Sequence, residues 1–414
     1  MSSRNWKKII LGEVIEINEM SISSNYPHKI IEYIDTSSVT NNRFENVQKL
    51  SIGEAPSRAK RIVRNGDTII STVRPIQRHF GYIQKAKENT IVSTGFAVLT
   101  PKKINPEFLY YYISQDTITL YLNAIAETTT TTFPAFRPDT LQELEVEIPE
   151  SIQEQERIAS IFSALDEKIE LNRQTNQTLE AIAQAIYKEW FVNFEFPGAI
   201  GEMQDSELGP IPEGWRVGEL GEIVEFIKGV SYRSSELLPS KYALVTLKSI
   251  ARGGGFNNDG FKEFNGRHKE TQTLVEGDTV IAQTDITQNA EVVGCPAIVE
   301  NPLNYEKLIA SIDIVKCLSK NADLTTEAIY YFLKDQRFKD YCLSHTNGST
   351  VLHLRSSELP NYKLAMPEQN ILKLFCRIIR EINLKMLENN HQARTLVRMR
   401  DSLLPRLMNG EMEV

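Results

Sequence analysis

The sequence predicts a mixed α/β (α+β) fold in which two pseudo-repeated α/β domains are separated by two long helices pairing as an antiparallel coiled coil. Three observations predict it. The chain matches itself at an offset of about 210 residues, the first part of each copy is rich in short β-branched runs, and the second part has helical apolar periodicity.

The repeat consists of landmarks that recur in the same order. Residues 6–16 read WKKIILGEVIE, and residues 215–225 read WRVGELGEIVE, 209 positions later. Gly-Asp-Thr at 66–68 recurs at 277–279, each time before a strand-like run. Shared order and nearly constant spacing indicate a duplicated protein.

The landmarks and composition changes divide the chain into six segments. Turn residues break β-branched runs within each domain, and a segment rich in Gly and Pro separates the copies. The predicted segments are a first domain at 1–149, a first long helix at 150–196, a linker at 197–214, a second domain at 215–367, a second long helix at 368–408 and a tail at 409–414.

The two long helices are predicted to pair because their charges are opposite. Residues 150–190 carry 4 basic and 8 acidic side chains, whereas residues 372–407 carry 8 basic and 3 acidic. Opposite charges beside an apolar seam favour pairing of unlike helices, and an Asn in the seam fixes register. The alternative is that each helix packs on its own domain and its charges are solvated.

Apolar residues spaced by three and four define the seam on each helix. In the first helix these positions are Ile158, Ile161, Leu165, Ile169, Leu179, Ile182, Ile186 and Trp190. The residues predicted to form the helix seam or a partner surface are Ile158, Ile161, Leu165, Asn172, Ile382, Met386, Asn389 and Leu403.

Local charge suggests where nucleic acid binds. The formal net charge is −8, which excludes binding through bulk positive charge. Residues 56–87 nevertheless contain 8 lysines and arginines, opposed within that window only by Asp67. Phosphates favour such a cluster, and Arg, Gln and His reach base edges. The candidates are Arg58, Lys60, Arg61, Arg74, Gln77, Arg78 and His79.

The matching stretch of the second copy carries amides and hydroxyls, which read bases without adding charge. Its candidates are Gln283, Thr284, Thr287, Gln288 and Asn289. Different side chains at equivalent places predict two readers of different sequences. In both copies the alternative is a solvated polar surface, and the polar tips at 128–132 and 347–350 have the same ambiguity.

Catalytic and metal-binding patterns are missing from the sequence. It contains no phosphate-binding loop, no adenine-methyltransferase motif, no nucleophile elbow and no metal-ligand spacing of His or Cys. We therefore predict no catalytic residue and no metal ligand. The four cysteines are expected to be reduced packing residues, and the absence of a long apolar run or signal peptide predicts a cytoplasmic protein without membrane contact.

Three further segments carry a resemblance to a known family. They are IQEQERIASIFSALDEKIELNRQ at 152–174, SELGPIPEGW at 206–215 and RDSLLPRLMNGE at 400–411. Together with the duplicated domain starts, they resemble the specificity (S) subunit of type I restriction-modification systems over nearly the whole chain.

The resemblance implies a non-catalytic subunit with two target-recognition domains, each reading one half of a bipartite site in double-stranded DNA. It also implies that the helices set the spacer and dock two methyltransferase (M) subunits, with restriction (R) subunits joining through the complex. No cofactor is expected on this chain, whereas S-adenosylmethionine, ATP and Mg²⁺ are expected in the partner subunits. Alternatives are a self-sufficient DNA-modifying enzyme and a stand-alone DNA-binding adaptor that occupies methyltransferase subunits without supporting restriction.

Overall fold

The computed structural model describes residues 5–23, 25–128, 133–287 and 289–413. Contacts divide the chain into unit 1, Met1–Leu171 with Thr395–Val414, and unit 2, Asn172–Arg394. Each long helix therefore contributes residues to both units, the first, Ile152–Phe191, in equal halves and the second, Gln369–Met408, mostly to unit 2. The sequence analysis instead treats each helix as a separate segment. Apolar periodicity predicts that a helix forms, but it does not predict which domain each part of the helix packs against.

Unit 1 contains short strands followed by small helices. Its strands are β1 Trp6–Ile10, β2 Ile15–Ile17, β3 Ile30–Ile34, β4 Val39–Thr40, β5 Arg43–Phe44, β6 Gln48–Ser51, β7 Ala59–Ile62, β8 Thr68–Ser71, β9 Phe80–Tyr82, β10 Thr90–Ser93, β11 Phe96–Pro101 and β12 Glu145–Pro149. Its helices are α1 Pro106–Ile113, α2 Asp116–Glu127 and α3 Asp139–Gln142, followed by the first half of α4 Ile152–Phe191.

Two four-stranded sheets, with strand orders β6-β3-β10-β7 and β2-β11-β8-β9, form the body of unit 1. All four residues of β8 are buried, as expected for a strand covered on both faces. Helices α1 and α4 cover one side, where Phe108, Leu109 and Phe162 are completely buried. The terminal strands β1 and β12 pair antiparallel and close the domain.

Unit 2 repeats this order with additional short strands. Its strands are β13 Met203–Gln204, β14 Ile211–Pro212, β15 Arg216–Glu219, β16 Val224–Lys228, β17 Tyr242–Val245, β18 Phe261–Glu263, β19 Thr273–Leu274, β20 Thr279–Ala282, β21 Thr284–Asp285, β22 Pro296–Ile298, β23 Lys307–Ala310, β24 Ile314–Ser319, β25 Thr346–Asn347, β26 Leu352–Leu354 and β27 Lys363–Met366. Its helices are α5 Thr326–Leu333 and α6 Gln336–Ser344, with the second half of α4 and most of α7 Gln369–Met408.

The sheets of unit 2 correspond to those of unit 1. Strand orders β16-β24-β20-β22 and β18-β17-β23-β19 match the two sheets above, and β15 pairs with β27 as β1 does with β12. Strand β20 is fully buried, like β8. The four cysteines are buried and unpaired.

The long helices run antiparallel to each other within each unit. In unit 1, Arg400 of α7 pairs with Asp166 of α4 at 2.8 Å. In unit 2, Asn389 of α7 contacts Asn172, and Phe375 packs on Phe191 with ring centroids 4.7 Å apart. As residue numbers increase along α4, the residue numbers of its contacts on α7 decrease.

The first helix ends five residues earlier than the predicted boundary at 196. Helix α4 stops at Phe191, and Phe194 has a φ of 62°, a left-handed backbone that a continuing α-helix excludes. Within the described residues no helix is long and apolar enough to cross a membrane.

Candidate nucleic-acid interface

The first predicted reader is loop 1, defined as residues 72–79, which follows the buried strand β8. Backbone hydrogen bonds fix the first residues of loop 1: Thr72 N donates to Gly95 O at 2.9 Å, and Arg74 N donates to Pro134 O at 2.8 Å. Val73 also forms a β-bridge with Ala135. A segment from near the end of the domain therefore lies beside loop 1.

Two arginines with left-handed backbones flank a short 3-10 turn, Pro75–Gln77, at the tip of loop 1. Arg74 has φ 49° and Arg78 has φ 57°, a conformation that non-glycine residues adopt only where surrounding contacts hold it. The Arg74 guanidinium lies 4.9 Å from the centre of the Phe133 ring. Ile76, between the two arginines, is 55% exposed, and Gln77 is exposed.

Arg78 and His79 bind within the protein. Arg78 Nε donates to Asn41 Oδ1 at 2.9 Å, and the guanidinium also pairs with Asp116 of α2. His79 Nδ1 lies 2.6 Å from Val39 O. These contacts hold the last residues of loop 1 in place.

Many basic side chains of residues 56–87 form ion pairs within the protein. Four of these cations pair with carboxylates from outside residues 56–87. These pairs are Arg58–Asp35, Arg64–Glu19, Arg78–Asp116 and Lys87–Glu32. Asp67 is the sole acidic residue within the window 56–87 of the sequence, and folding adds these four carboxylates from outside it.

Asp35 illustrates such a pairing. Partial burial raises its pKa, but hydrogen bonds from Ser37 N and the Tyr33 hydroxyl, together with the Arg58 guanidinium 2.7 Å away, hold the pKa below its ordinary value. Arg61 is half-buried and donates to Asn18 Oδ1 at 2.5 Å and to Phe96 O. Among the predicted cations, Lys60 is exposed, and so is Arg58 despite its pairing with Asp35.

The second predicted reader is loop 2, defined as residues 283–295, which follows the buried strand β20. Its first residues pair with β26, Thr284 with His353 and Asp285 with Leu352. On the other side, Lys339 of α6 donates to Val293 O. Loop 2 is thus held between a late strand and the domain's second small helix, as loop 1 is held by residues 133–136 and α2.

Asp285 organises loop 2 from inside. Its carboxylate accepts hydrogen bonds from Thr287 N and Oγ1 at 2.7 and 2.6 Å and from the amides of Val292 and Val293 at 2.6 and 2.7 Å. Burial raises the pKa of Asp285, but these donors outweigh it and hold the pKa below its ordinary value. The carboxylate therefore fixes the path of the loop in its charged form.

Several residues of loop 2 that were predicted to bind DNA form hydrogen bonds within the protein instead. Thr284 is buried and donates to Asp313 at 3.1 Å. Thr287 donates to Asp285, and its Oγ1 accepts from Glu291 N at 2.8 Å. Gln283 is half-buried, and its Oε1 is buried without a hydrogen-bond partner among the described residues. Asn289 is exposed, and Gln288 lies outside the described residues.

Sequence reasoning missed the isoleucines at the loop tips. Ile286 is 69% exposed, and it occupies a place in loop 2 comparable to that of Ile76 in loop 1. The signal was present in the sequence for Ile286, which stands alone in the polar run 283–289 after a buried strand. Sequence reasoning also missed the segments that lie beside the loops, 133–136 and 352–354. They follow the polar tips at 128–132 and 347–350, which align between the two copies. Residues 129–132 lie outside the described residues.

Comparison with known families decides what this duplicated architecture is. The model of the type I restriction modification DNA specificity domain matches residues 3–181 and again residues 212–391. The chain belongs to this type I restriction-modification specificity family. Its two matches coincide with the two copies of the repeat.

Relatives cover the specificity chain almost completely. It is 28% identical to the type I restriction enzyme HindI specificity subunit of Haemophilus influenzae, over 98% of this chain and 99% of that protein. It is also 28% identical to the MjaIX specificity subunit of Methanocaldococcus jannaschii, over 86% of this chain and 79% of that protein. A crystal structure of the type I restriction-modification S subunit from M. genitalium superposes with a TM-score of 0.54 at 16% identity, covering 98% of this chain and 97% of that one. Both named relatives are specificity subunits of type I restriction enzymes.

The predicted seam residues of the specificity chain lie along the paired helices, with differing burial. Ile158 is fully buried in the core of unit 1, where Ile161, Leu165 and Leu403 pack against it. Ile382 packs against the core of unit 2, and Met386 is half-buried.

The asparagines form a polar group within the seam of unit 2. Asn172 and Asn389 are 3% and 5% exposed. Asn172 Nδ2 donates to Gln392 Oε1 at 2.9 Å, and Asn389 Nδ2 donates to Asn176 Oδ1 at 2.8 Å. The sequence did not single out Asn176, which also donates to Met386 O at 3.0 Å.

Both domains are attached to α4 by tyrosine hydroxyls. Tyr111 of α1 donates to Asp166 at 3.0 Å. In unit 2, Tyr330 and Tyr331 of α5 donate to Glu180 at 3.1 and 3.0 Å, and Lys334 pairs with the same carboxylate at 2.6 Å. These tyrosines lie on the first small helix of their domain, α1 or α5, so tyrosines at equivalent places connect each domain to the acidic helix.

Proposed function

We propose that the chain is the specificity subunit of a type I restriction-modification complex in which each domain reads one half of a bipartite DNA site. The observation that carries the proposal is the pair of loops. Loop 1 and loop 2 follow equivalent buried strands and are anchored by equivalent elements, but their sequences differ. One scaffold with two different presenting loops suits a protein that reads two different half-sites.

The long helices are proposed to set the spacer between the half-sites and to dock the methyltransferase subunits. A 40-residue helix extends about 60 Å at 1.5 Å per residue, and the buried asparagines favour a single pairing register. Two methyltransferase subunits match the two-fold repetition of the chain, and restriction subunits would join through them.

We also propose that S-adenosylmethionine, ATP and Mg²⁺ act in those partner subunits. In the described part of this chain, no group of three or more His, Cys, Asp or Glu side chains is arranged to hold a metal ion. The role assigned to this chain is to bind and position DNA.

Long-read methylation sequencing tests the proposal. DNA would be compared from cells expressing this chain with its methyltransferase subunit and from cells expressing the methyltransferase subunit alone. We expect a bipartite adenine-methylated motif that requires this chain. If the methyltransferase subunit is active with another specificity subunit but this chain adds no motif, the proposal is wrong and the adaptor function gains support.

A further inference from the structure

The tips of the two loops expose the same pair of chemical groups. Loop 1 exposes Ile76 and Gln77, and loop 2 exposes Ile286 and Asn289. Each loop therefore exposes one isoleucine and one carboxamide, which are adjacent in loop 1 and three residues apart in loop 2, although the surrounding sequences differ.

The other polar groups of the loops are largely used by the protein itself. Arg78 binds Asn41 and Asp116, and the Arg74 guanidinium lies over the Phe133 ring. In loop 2, Thr284 and Thr287 donate to carboxylates that shape the loop. Among the described residues of the loops, the isoleucine and the amide are consequently groups that a base could meet without breaking one of these contacts.

These two groups complement one base pair in the major groove. A carboxamide can bond adenine N7 and N6 together, and an apolar side chain contacts the C5-methyl group of thymine. Both features occur on an A·T pair, and neither a G·C pair nor the minor groove offers the same combination.

Internal contacts fix the backbone on both sides of these groups. The Ile76–Gln77 tip lies between two left-handed residues, Arg74 and Arg78, and Pro75 within the turn is buried. Loop 2 is braced by four hydrogen bonds to Asp285. Rigid presentation lowers the entropic cost of a specific contact.

We infer that each loop reads A·T pairs through the major groove, with Ile76 and Ile286 sensing the thymine methyl groups and Gln77 and Asn289 binding adenine. The inference rests on the proposed function, since it names the readers within each half-site. It assigns one pair of side chains to each half-site.

Base analogues test it in the assembled complex with the methyltransferase subunits. Once the bipartite motif is known, each thymine is replaced in turn by deoxyuridine, which lacks only the methyl group, and each adenine by 7-deazaadenine, which lacks N7. For the unmodified protein we expect one deoxyuridine position per half-site to weaken binding about 4-fold, the effect of one buried methyl group. One 7-deazaadenine position should weaken it about 10-fold.

Variants assign each effect to a residue. Ile76→Ala should abolish the deoxyuridine effect in one half-site only, and Ile286→Ala in the other only. Gln77→Ala and Asn289→Ala should do the same for 7-deazaadenine. Ile30→Ala and Leu303→Ala are matched controls, because these side chains are 50% and 61% exposed but lie outside the loops, and they should retain every analogue effect.

The results separate this inference from the proposed function. A complex that prefers its motif over scrambled DNA but is insensitive to the analogues, or whose loop variants keep the analogue effects, overturns the inference alone. A complex with no sequence preference overturns both.

Discussion

At the scale of single residues, Arg78 shows how a predicted DNA-binding side chain is tied into the protein. Its side chain is 34% exposed and pairs with Asp116, which is 76% exposed. An exposed pair of this kind contributes about 0.5 kcal/mol to stability. Its main effect is therefore to fix where loop 1 lies.

Neutralising Asp116 distinguishes an anchoring Arg78 from a phosphate-binding Arg78. If Arg78 anchors loop 1, Asp116→Asn should weaken binding to one half-site by about 3-fold, because a rigid loop loses part of its preorganisation. If Arg78 binds phosphate, removing a nearby negative charge should tighten binding. Anisotropy titrations with labelled duplex would measure the change. Glu127→Gln on the same helix is the control, and tighter binding by Asp116→Asn would refute the anchoring role.

Glu180 is a partly buried carboxylate whose ionised form stabilises unit 2. Burial raises its pKa, but Lys334 and the hydroxyl and amide donors around it outweigh burial and hold the pKa below its ordinary value of 4.5. The folded state therefore releases this proton more readily than the unfolded state. Its stabilising contribution is complete above pH 4.5 and is lost as the pH falls through the lowered pKa.

Glu180→Gln should consequently lower stability at neutral pH by about 2 kcal/mol, since Lys334 loses its charged partner. It should also flatten the dependence of stability on pH below about 4.5. Urea unfolding of the full chain at several pH values measures both effects. Glu167→Gln, on an exposed position of the same helix, should change neither. An acid dependence identical to that of the unmodified chain would contradict the assignment.

At the scale of elements, the seam of α4 runs through positions that apolar counting did not find. Ile182 was predicted to face the seam, but it is 44% exposed, whereas the neighbouring Ala183 is fully buried. Between the apolar stretches of α4, the residues that contact α7 in the seam are Asn172 and Asn176. Because these residues are polar, a count of apolar residues loses the helical phase between Ile169 and Ile182.

A pair of aspartates tests this seam. Ala183→Asp buries a carboxylate in a packed interface and should destabilise unit 2 by at least about 3 kcal/mol. Ile182→Asp places the same group one residue away in solvent and should change stability by less than about 0.5 kcal/mol. Thermal unfolding followed by circular dichroism compares the two variants. Similar losses in both would show that the seam passes through Ile182.

At the scale of the whole molecule, duplication explains why so much of the architecture could be predicted. Each landmark appears twice, so the strand-rich domains and both long helices follow from the sequence. Side-chain partners do not: the sequence near Arg58 gives no sign of Asp35, and nothing in the sequence indicates that Asp285 binds the amides of Val292 and Val293. Periodicity likewise locates α4 and α7 but does not show that each helix is shared between two units.

The boundary between the units crosses α4 between Leu171 and Asn172 and α7 between Arg394 and Thr395. Two helix contacts lie each within one unit, Asp166 with Arg400 in unit 1 and Asn172 with Asn389 in unit 2. Extra residues at both crossings would therefore leave these contacts intact. Both helices could lengthen without a change of register inside either unit.

Four residues inserted at each crossing test whether the helices set the spacer. They add about 6 Å of helix, so methylation sequencing should show a spacer about two base pairs longer and unchanged half-sites. The same insertion after Gly201, in the exposed linker, is the control and should leave the motif unchanged. A new half-site sequence, or an unaltered spacer in a complex that still methylates, would refute the role of the helices as a ruler, because neither loop is altered while the helical path is lengthened.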